Sequence, residues 1–341
     1  MPEVNIIGID LAKRSFQLHG ATATGSVAFR RKLSREALLA FLAEQPRCLV
    51  AMEACASAHH WGREIERLGH EVRLIPPIYV KPFVKRQKND AADAEAIVEA
   101  ASRPTMRFVA LKTSEQQAAG MTFRVRDTLV RQRTQLVNAL RGHLAEFGVI
   151  APAGIARVER LAEMVEDPDM SILAPVRELA RLLLDQIATL GERIAGLEKE
   201  LRRRASADAG MARLMTAPGI GVVAAAAIAA FAPSMESFRS GRDFAAWVGL
   251  TPRQHSTGGK TRLGRTSKMG QRDIRRLLII GASAVVRWAS RRGAPAGSWL
   301  ERMLTRKPRM LVMVALANKM ARIVWAMTVR GEAYRDPVAA T

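Results

Sequence analysis

The sequence predicts an α/β domain joined to all-α ones, and three observations carry that reading. Short apolar runs bounded by turn residues crowd the first hundred positions, then alternate with helical patterns. Between residues 114 and 207 leucines and isoleucines recur every three or four positions over long stretches. Beyond residue 210 small residues, glycines and arginines dominate. The expected organisation is a mixed-sheet domain over 1–110, a coiled-coil-like helical domain over 111–209, a mostly helical domain over 210–330, and a tail, 331–341.

Bulk composition narrows the partners. The chain of 341 residues has 53 Lys+Arg against 32 Asp+Glu, a net charge of +21. That excess is uneven: +4 over residues 1–110, +1 over 111–209 and +16 over 210–341, where acids number six. So basic a segment, supplied mostly by arginine, implies nucleic acid as the partner. Two cysteines, Cys48 and Cys55, form no CxxC pair, which fits a reducing compartment and argues against a structural zinc. The start has no signal-like pattern and the apolar run Val222 to Phe231 is too short to span a bilayer, so a cytoplasmic location is expected.

In order, residues 4–10, 15–21 and 25–33 read as three strands of a meander, with Gly20 and the 22–25 cluster as turn signals. Ser34 opens a helix that ends before Pro46. A buried strand, 48–52, delivers Glu53; a helix from about Ala58 to Leu68 and a strand over 71–75 complete a β-α-β unit. Asn89 or Asp90 caps an alanine-rich helix that also carries Asp93. Helices over 114–147 and 175–204 follow, the second with a stripe from Leu179 to Leu201, and 148–169 reads as the turn between them. Pro218-Gly219-Ile220-Gly221 reads as a tight turn between two helices, a helix-hairpin-helix whose glycine amides suit a phosphate; an ordinary helix-helix turn has the same pattern. Residues 244–260, which include the His-Ser-Thr-Gly-Gly-Lys loop, are followed by a basic, glycine-punctuated stretch of loop over 261–270 that leads into a helix from Arg272 to Trp288.

Four acids stand at telling places. Asp10 ends the first strand, where open sheets bind ligands, though such an acid also caps turns. Glu53 ends a later strand, while Asp90 and Asp93 share one side of a helix start, a place that favours negative charge in any case. Brought together, four carboxylates would repel one another unless divalent cations neutralised them, and hard oxygens suit Mg²⁺ or Mn²⁺. Two such ions about 3.5–4 Å apart clamp an in-line phosphoryl transfer. In the basic loop a hydroxyl beside Gly258 and Gly259 can meet a phosphodiester closely. Arg253, Lys260, Arg262 and Arg265, followed by Lys268 and Arg272, are the candidate phosphate contacts, with Gly219 and Gly221 of the hairpin. His255, before that hydroxyl, fits either proton orientation or phosphate contact.

The arrangement of acids resembles a RuvC-like, ribonuclease-H-like fold. The order Gly-Ile-Asp at Asp10, Met-Glu-Ala at Glu53, Lys-Asn-Asp-Ala-Ala-Asp at 88–93, then Pro-Gly-Ile-Gly, Gly-Leu-Thr-Pro and His-Ser-Thr-Gly-Gly-Lys resembles the DEDD transposases of the insertion-sequence 110 family over nearly the whole chain. The last motif is similar to that of the 1111-like subgroup. The resemblance implies a RuvC-like domain binding Mg²⁺ through Asp10, Glu53, Asp90 and Asp93, and a transposase domain whose serine links covalently to DNA. Ser256 is the expected nucleophile and Thr257 the alternative, the primary hydroxyl being less hindered. A structured guide RNA, or bridge RNA, pairing with donor and target DNA is implied too, as is a homodimer assembling to a tetramer with composite active sites.

Three other readings compete. A hydrolytic RuvC-like endonuclease or junction resolvase would use the same acids on water and make Ser256 dispensable. A non-enzymatic nucleic-acid-binding scaffold explains the charge and leaves the acids to coincidence. An actin-like sugar or acetate kinase also opens with Gly-Ile-Asp, but a later glycine-rich phosphate loop is missing from the sequence.

Overall fold

In the computed structural model, residues 3–85 and 90–336 are described, and the side chains of Asp90 and Ala91 lie outside the described residues. The chain forms two compact units, Met1–Glu115 and Gln116–Thr341. The expected boundary at 209 therefore falls inside the second unit.

The first unit is built on a five-stranded mixed sheet. Its strands are β1 (Ile6–Leu11), β2 (Ser15–Ala21), β3 (Val27–Ser34), β4 (Leu49–Glu53) and β5 (Glu71–Ile75), in the order β3-β2-β1-β4-β5. β1, β2 and β3 form the antiparallel meander, while β4 and β5 join β1 in parallel. Parallel neighbours need crossovers, and helices supply them. The unit's helices are α1 (Ala37–Ala43), α2 (Ala58–Arg67), α3 (Pro77–Val80) and α4 (Asp90–Ala101). α1 starts at Ala37 and not at Ser34 because Ser34 is spent on β3; its hydroxyl still accepts from the Ala37 N–H at 3.3 Å.

Alternation along β1 decides which side each residue meets. Ile7 and Ile9 point into a core with Phe16, Leu38, Leu42, Met52, Trp61 and Ile65, the side covered by α1 and α2. Ile6 points the other way, into a core with Ala51, Ile75, Ala96, Ile97 and Ala100, the side covered by α4. Burial on both faces explains why the strands are continuous apolar runs. Asp10 shares the parity of Ile6 and Gly8, and therefore the α4 side.

The second unit opens on long helices. α5 (Ser114–Ala145) begins at the boundary, and α6 (Val158–Glu166) occupies the segment expected to be a bare turn. α7 (Ala174–Ala207) completes a helical hairpin, in which Val137, Leu140 and Leu144 pack with Leu161, Val165, Ala180 and Ile187. On α7 the buried row is Ala180, Ile187, Ile194 and Leu201, a seven-residue repeat; Leu179, placed in the same stripe by spacing, is 63% exposed. The hidden helix α6 was illegible because its two buried residues, Leu161 and Val165, are a single i, i+4 pair among charges.

The rest of this unit is mostly helical. α8 (Ala209–Leu214), α9 (Val222–Phe231) and α10 (Gly241–Val248) lead to a two-stranded antiparallel ribbon, β6 (Pro252–Gln254) with β7 (Leu263–Thr266). α11 (Arg272–Arg292), α12 (Trp299–Arg306) and α13 (Arg309–Arg330) close it. α13 is long and apolar enough to cross a membrane, a feature the run-length reading missed. Its Val312, Ala317, Met320, Ala321, Val324 and Met327 are buried, most of them in one core with Phe244, Val248, Leu278 and Ala282, which is the behaviour of a core helix.

Candidate active site and nucleic-acid interface

The parallel register of β1 and β4 aligns Ile9 with Met52, so Asp10 and Glu53 follow at the same end of neighbouring strands. α4 brings a third acid. Gly8 makes this possible, since a Cβ there would stand 2.4 Å from the Ala94 carbonyl oxygen and 2.7 Å from a Val98 methyl. Only a residue without a side chain lets the helix settle onto β1 at that level, and Asp93 is one residue from Ala94.

Electrostatics report the outcome. Burial pushes the Glu53 carboxyl above the usual carboxylate range, and Asp10 and Asp93 both push it further in the same direction. Two of the other three expected acids thus act on Glu53, while the side chain of Asp90 lies outside the described residues. Among the described residues no three His, Cys, Asp or Glu side chains are gathered closely enough to hold an ion by themselves. The donor chemistry nonetheless suits a hard divalent cation: carboxylate oxygens under mutual repulsion, held at a sheet end.

Sequence reasoning missed two residues here. Cys55 lies beside the acids, its thiol pushed up by burial first and then by Glu53 and Asp10. Gly8 was the other, and the two-residue spacing from Gly8 to Asp10 was its signal. His59 accepts the Lys112 backbone N–H at 3.2 Å, which ties α2 to the chain leaving the sheet.

α4 is itself fastened. Glu95 receives Arg30 at 3.2 Å and Lys85 at 2.5 Å, from β3 and from the segment before the helix. We expect Gly8→Ala to cost about 1–3 kcal/mol by forcing α4 outward. Thermal melting would register that loss, and divalent-cation binding would weaken in step as Asp93 retreats from Asp10.

In the second unit the expected basic loop is an ordered hairpin. Beyond the β6–β7 pairing, the His255 N–H donates to the Arg262 carbonyl at 2.8 Å, and Thr257 and Lys260 exchange backbone bonds. Gly258 and Gly259, at φ 54° and 74°, form the two-residue tip that such a ribbon requires. The ribbon escaped a strand assignment because every residue from Arg253 to Arg265 is exposed, leaving no apolar alternation to read.

Ser256 sits on the first arm, its Oγ accepting the Arg262 N–H at 3.2 Å. Its side chain is thereby fixed in orientation. His255 lies over Gly264, where a Cβ would come within 2.9 Å of the ring. Arg253 is braced by the Ser267 carbonyl at 3.3–3.4 Å, and Lys268 holds φ 55°, a strained value for a residue with a side chain.

The base of the ribbon is clamped. A Cβ on Gly249 would fall 1.8 Å from the Met269 carbonyl oxygen, and one on Gly270 would fall 1.9 Å from that of Trp247. Arg275 donates to the Val248 carbonyl at 2.8 Å and to that of Met269 at 3.1 Å, locking the two strands of backbone together. Gly270→Ala, with φ 80° to accommodate as well, should destabilise this unit by at least about 2–3 kcal/mol. Urea unfolding followed by tryptophan emission would measure it, Trp247 being at the clamp.

The two glycines of the α8–α9 turn differ. Gly219, at φ 83°, presses on the backbone of α11 at Gly281, 2.9 Å from a Cβ to its carbonyl oxygen, so packing alone demands glycine. Gly221 precedes α9 with open space around it, and the first-turn amides of the helix follow. Tyr334, at the start of the tail, donates its N–H to Thr216 Oγ1 at 2.9 Å and so returns to this turn; residues 337–341 lie outside the described residues.

Charge pairing separates the two regions of the chain. Up to residue 209 many arginines meet carboxylates, among them Arg103 with Glu99, Arg181 with Glu166, and Arg203 and Arg204 with Glu200, while others such as Arg47 and Arg133 do not among the described residues. Around the hairpin this stops. Arg253, Lys260, Arg262, Arg265, Lys268 and Arg272 have no carboxylate within ion-pair distance among the described residues. A row of uncompensated cations on an exposed ribbon is an anion-binding surface.

Comparisons with known proteins agree with this picture. The sequence profile of the transposase IS116/IS110/IS902 family matches residues 211–295, and a DEDD transposase profile of the IS110 type matches residues 7–148. A probable family 20 transposase of Pseudomonas aeruginosa is 51% identical, covering 96% of this chain and 98% of its own length. The transposase for insertion sequence element IS1328 of Yersinia enterocolitica is 44% identical over 98% of this chain and 99% of its own. That for insertion sequence element IS1111A of Coxiella burnetii is 38% identical, with coverage of 98% and 92%.

Proposed function

Since the chain belongs to the IS110 family of insertion-sequence transposases and its activity is DNA transposition, we propose that it cuts and exchanges DNA strands by divalent-cation-assisted phosphoryl transfer with Ser256 as nucleophile. The observation that carries this reading is the gathering of acids at one sheet end: Asp10 and Glu53 follow at the same end of the paired strands β1 and β4, and Asp10 and Asp93 both push the half-buried Glu53 carboxyl upward, an effect a cation would relieve. Asp10, Glu53, Asp90 and Asp93 would hold Mg²⁺ or Mn²⁺. When bound, the cation supplies electrophilic stabilisation of the phosphoryl oxygens and of the leaving alkoxide.

The chain's own residues do the rest. The Ser256 Oγ, kept in one orientation by the Arg262 N–H, attacks phosphorus; the P–O bond to the leaving strand breaks as the P–Oγ bond forms, and the serine proton passes to solvent. Energy of the phosphodiester is thereby kept in the protein–DNA ester. A 3′- or 5′-hydroxyl of another strand then attacks that ester and restores Ser256. Arg253, Lys260, Arg262, Arg265, Lys268 and Arg272 neutralise the phosphates on either side. Gly221 and the first turn of α9 receive a further backbone phosphate, next to the glycine that packing requires at 219.

A bridge RNA, cytoplasmic action and homodimer-to-tetramer assembly belong to the same proposal, on the strength of the family resemblance. One experiment tests the core of it. Purified protein, labelled donor and target DNA, candidate RNA and Mg²⁺ are resolved on a denaturing gel. A band carrying both DNA label and protein supports the reading. Cleavage without such a band would make water the nucleophile and the protein a hydrolytic endonuclease.

A further inference from the structure

α11 presents an outward stripe that neither the core nor the hairpin uses. Ile280 is 53% exposed and Trp288 54% exposed, eight residues apart, with Ala284 between them on the same face. A single exposed apolar residue is ordinary; here an indole with a wide open face stands on the same side of the helix as Ile280 and beside a group of cations. Among the described residues no aromatic ring and no cation lies over it.

Charge identifies what covers it. Arg291 and Arg292 are the i+3 and i+4 neighbours of Trp288, Arg287 is beside Arg291 on the helix surface, and all three are exposed. None of the three has a carboxylate within ion-pair distance among the described residues, whereas Arg276, further up the same face, is held by Asp127. The buried centre of a protein–protein contact is poor in charge, so three adjacent unpaired arginines argue against a second copy of this chain. Duplex DNA would use the arginines but has no unstacked base for an indole. A single strand uses both: bases stack on the aromatic face while guanidinium groups neutralise the phosphates.

We propose that the Ala284–Trp288–Arg292 face of α11 is a stacking platform for an unpaired DNA strand, of the kind exposed when donor and target duplexes are opened. Ala284 leaves a shelf beside the indole on which a base can lie, and Arg287 and Arg291 flank it on one side and Arg292 on the other. The inference rests on the DNA-recombining reading above, but not on the identity of the nucleophile.

The test uses the full-length protein and three fluorescein-labelled probes of equal length: single-stranded DNA of mixed sequence, the corresponding duplex, and single-stranded RNA. Trp288→Ala is expected to weaken single-stranded DNA binding roughly 10-fold or more and to leave duplex affinity within a factor of about two. Trp288→Phe should restore most of the affinity, because a ring still stacks. Arg291→Glu should weaken single-strand binding and flatten its salt dependence. Equal single-strand affinities for native protein and Trp288→Ala would overturn the platform, as would a change in oligomeric mass in Trp288→Ala, which would make the face an interface between copies. A Trp288 effect confined to the RNA probe would overturn the assignment to DNA. Failure of the native protein to bind any DNA would instead strike at the functional reading itself.

Discussion

Ser256→Ala should bind donor DNA with native affinity and yield no protein–DNA adduct, a loss of at least about 10³-fold in linked product. The argument is geometric. Ser256 lies on an exposed arm whose backbone is paired on either side, through His255 with Arg262 and through Thr257 with Lys260. Removing its hydroxyl leaves those backbone bonds in place, so the ribbon persists without the proposed nucleophile. Thr257→Ala is the informative companion. The bonds recorded for Thr257 use its backbone only, and alanine keeps them. Adduct formation should therefore survive in Thr257→Ala. If Thr257→Ala alone abolishes the adduct, the nucleophile is the secondary hydroxyl; if both variants keep it, neither hydroxyl is. Arg262→Ala tests a further point, because the Ser256 Oγ is oriented by the backbone of Arg262 and not by its side chain. That substitution should weaken DNA binding, with a shallower salt dependence, more than it slows the chemical step.

The strands and most helices were legible because their apolar positions follow the period of the structure they enter. Ile6 to Asp10 reads as a strand by composition, and Pro175 to Arg204 as a helix by spacing. Where the period fails, so does the reading. The β6–β7 ribbon has no buried side, and its one local signal was the Gly258-Gly259 pair. α13 drew no notice as an apolar segment because charges at Lys319 and Arg322 interrupt its apolar runs, though its buried side runs from Val312 to Met327. At the acid site, three positions could be named from strand and helix ends, but what joins them could not. The close approach of α4 to β1 depends on Gly8 meeting Ala94, residues 86 positions apart, and no local pattern records such a contact. Gly219 shows the converse. Read as a phosphate-binding glycine, it is already required by the backbone of α11, whatever ligand the turn receives.

Asp10→Asn should raise the melting temperature in the absence of divalent cations and lower it relative to the native protein in their presence. The sign follows from Glu53. Its carboxyl titrates above the ordinary value in the folded protein, so the folded state holds that proton more tightly than the unfolded one. Stability therefore increases as the pH falls through the folded value, and the full penalty is present above it. Burial causes part of that penalty, and the charges of Asp10 and Asp93 the rest. Neutralising Asp10 removes one repulsion, and the melting temperature should rise by a few degrees, about 2–4 °C for each kcal/mol relieved. Adding Mg²⁺ reverses the order, since the native cluster gains a counter-ion that the asparagine site holds less well. Strand cleavage should fall on the order of 10³-fold in the same variant. Differential scanning calorimetry of both proteins, with EDTA and with Mg²⁺, reads the two terms separately. A lower melting temperature for Asp10→Asn in EDTA would mean that Asp10 serves the fold as a turn cap, and that the carboxylates at this sheet end are not waiting for a cation.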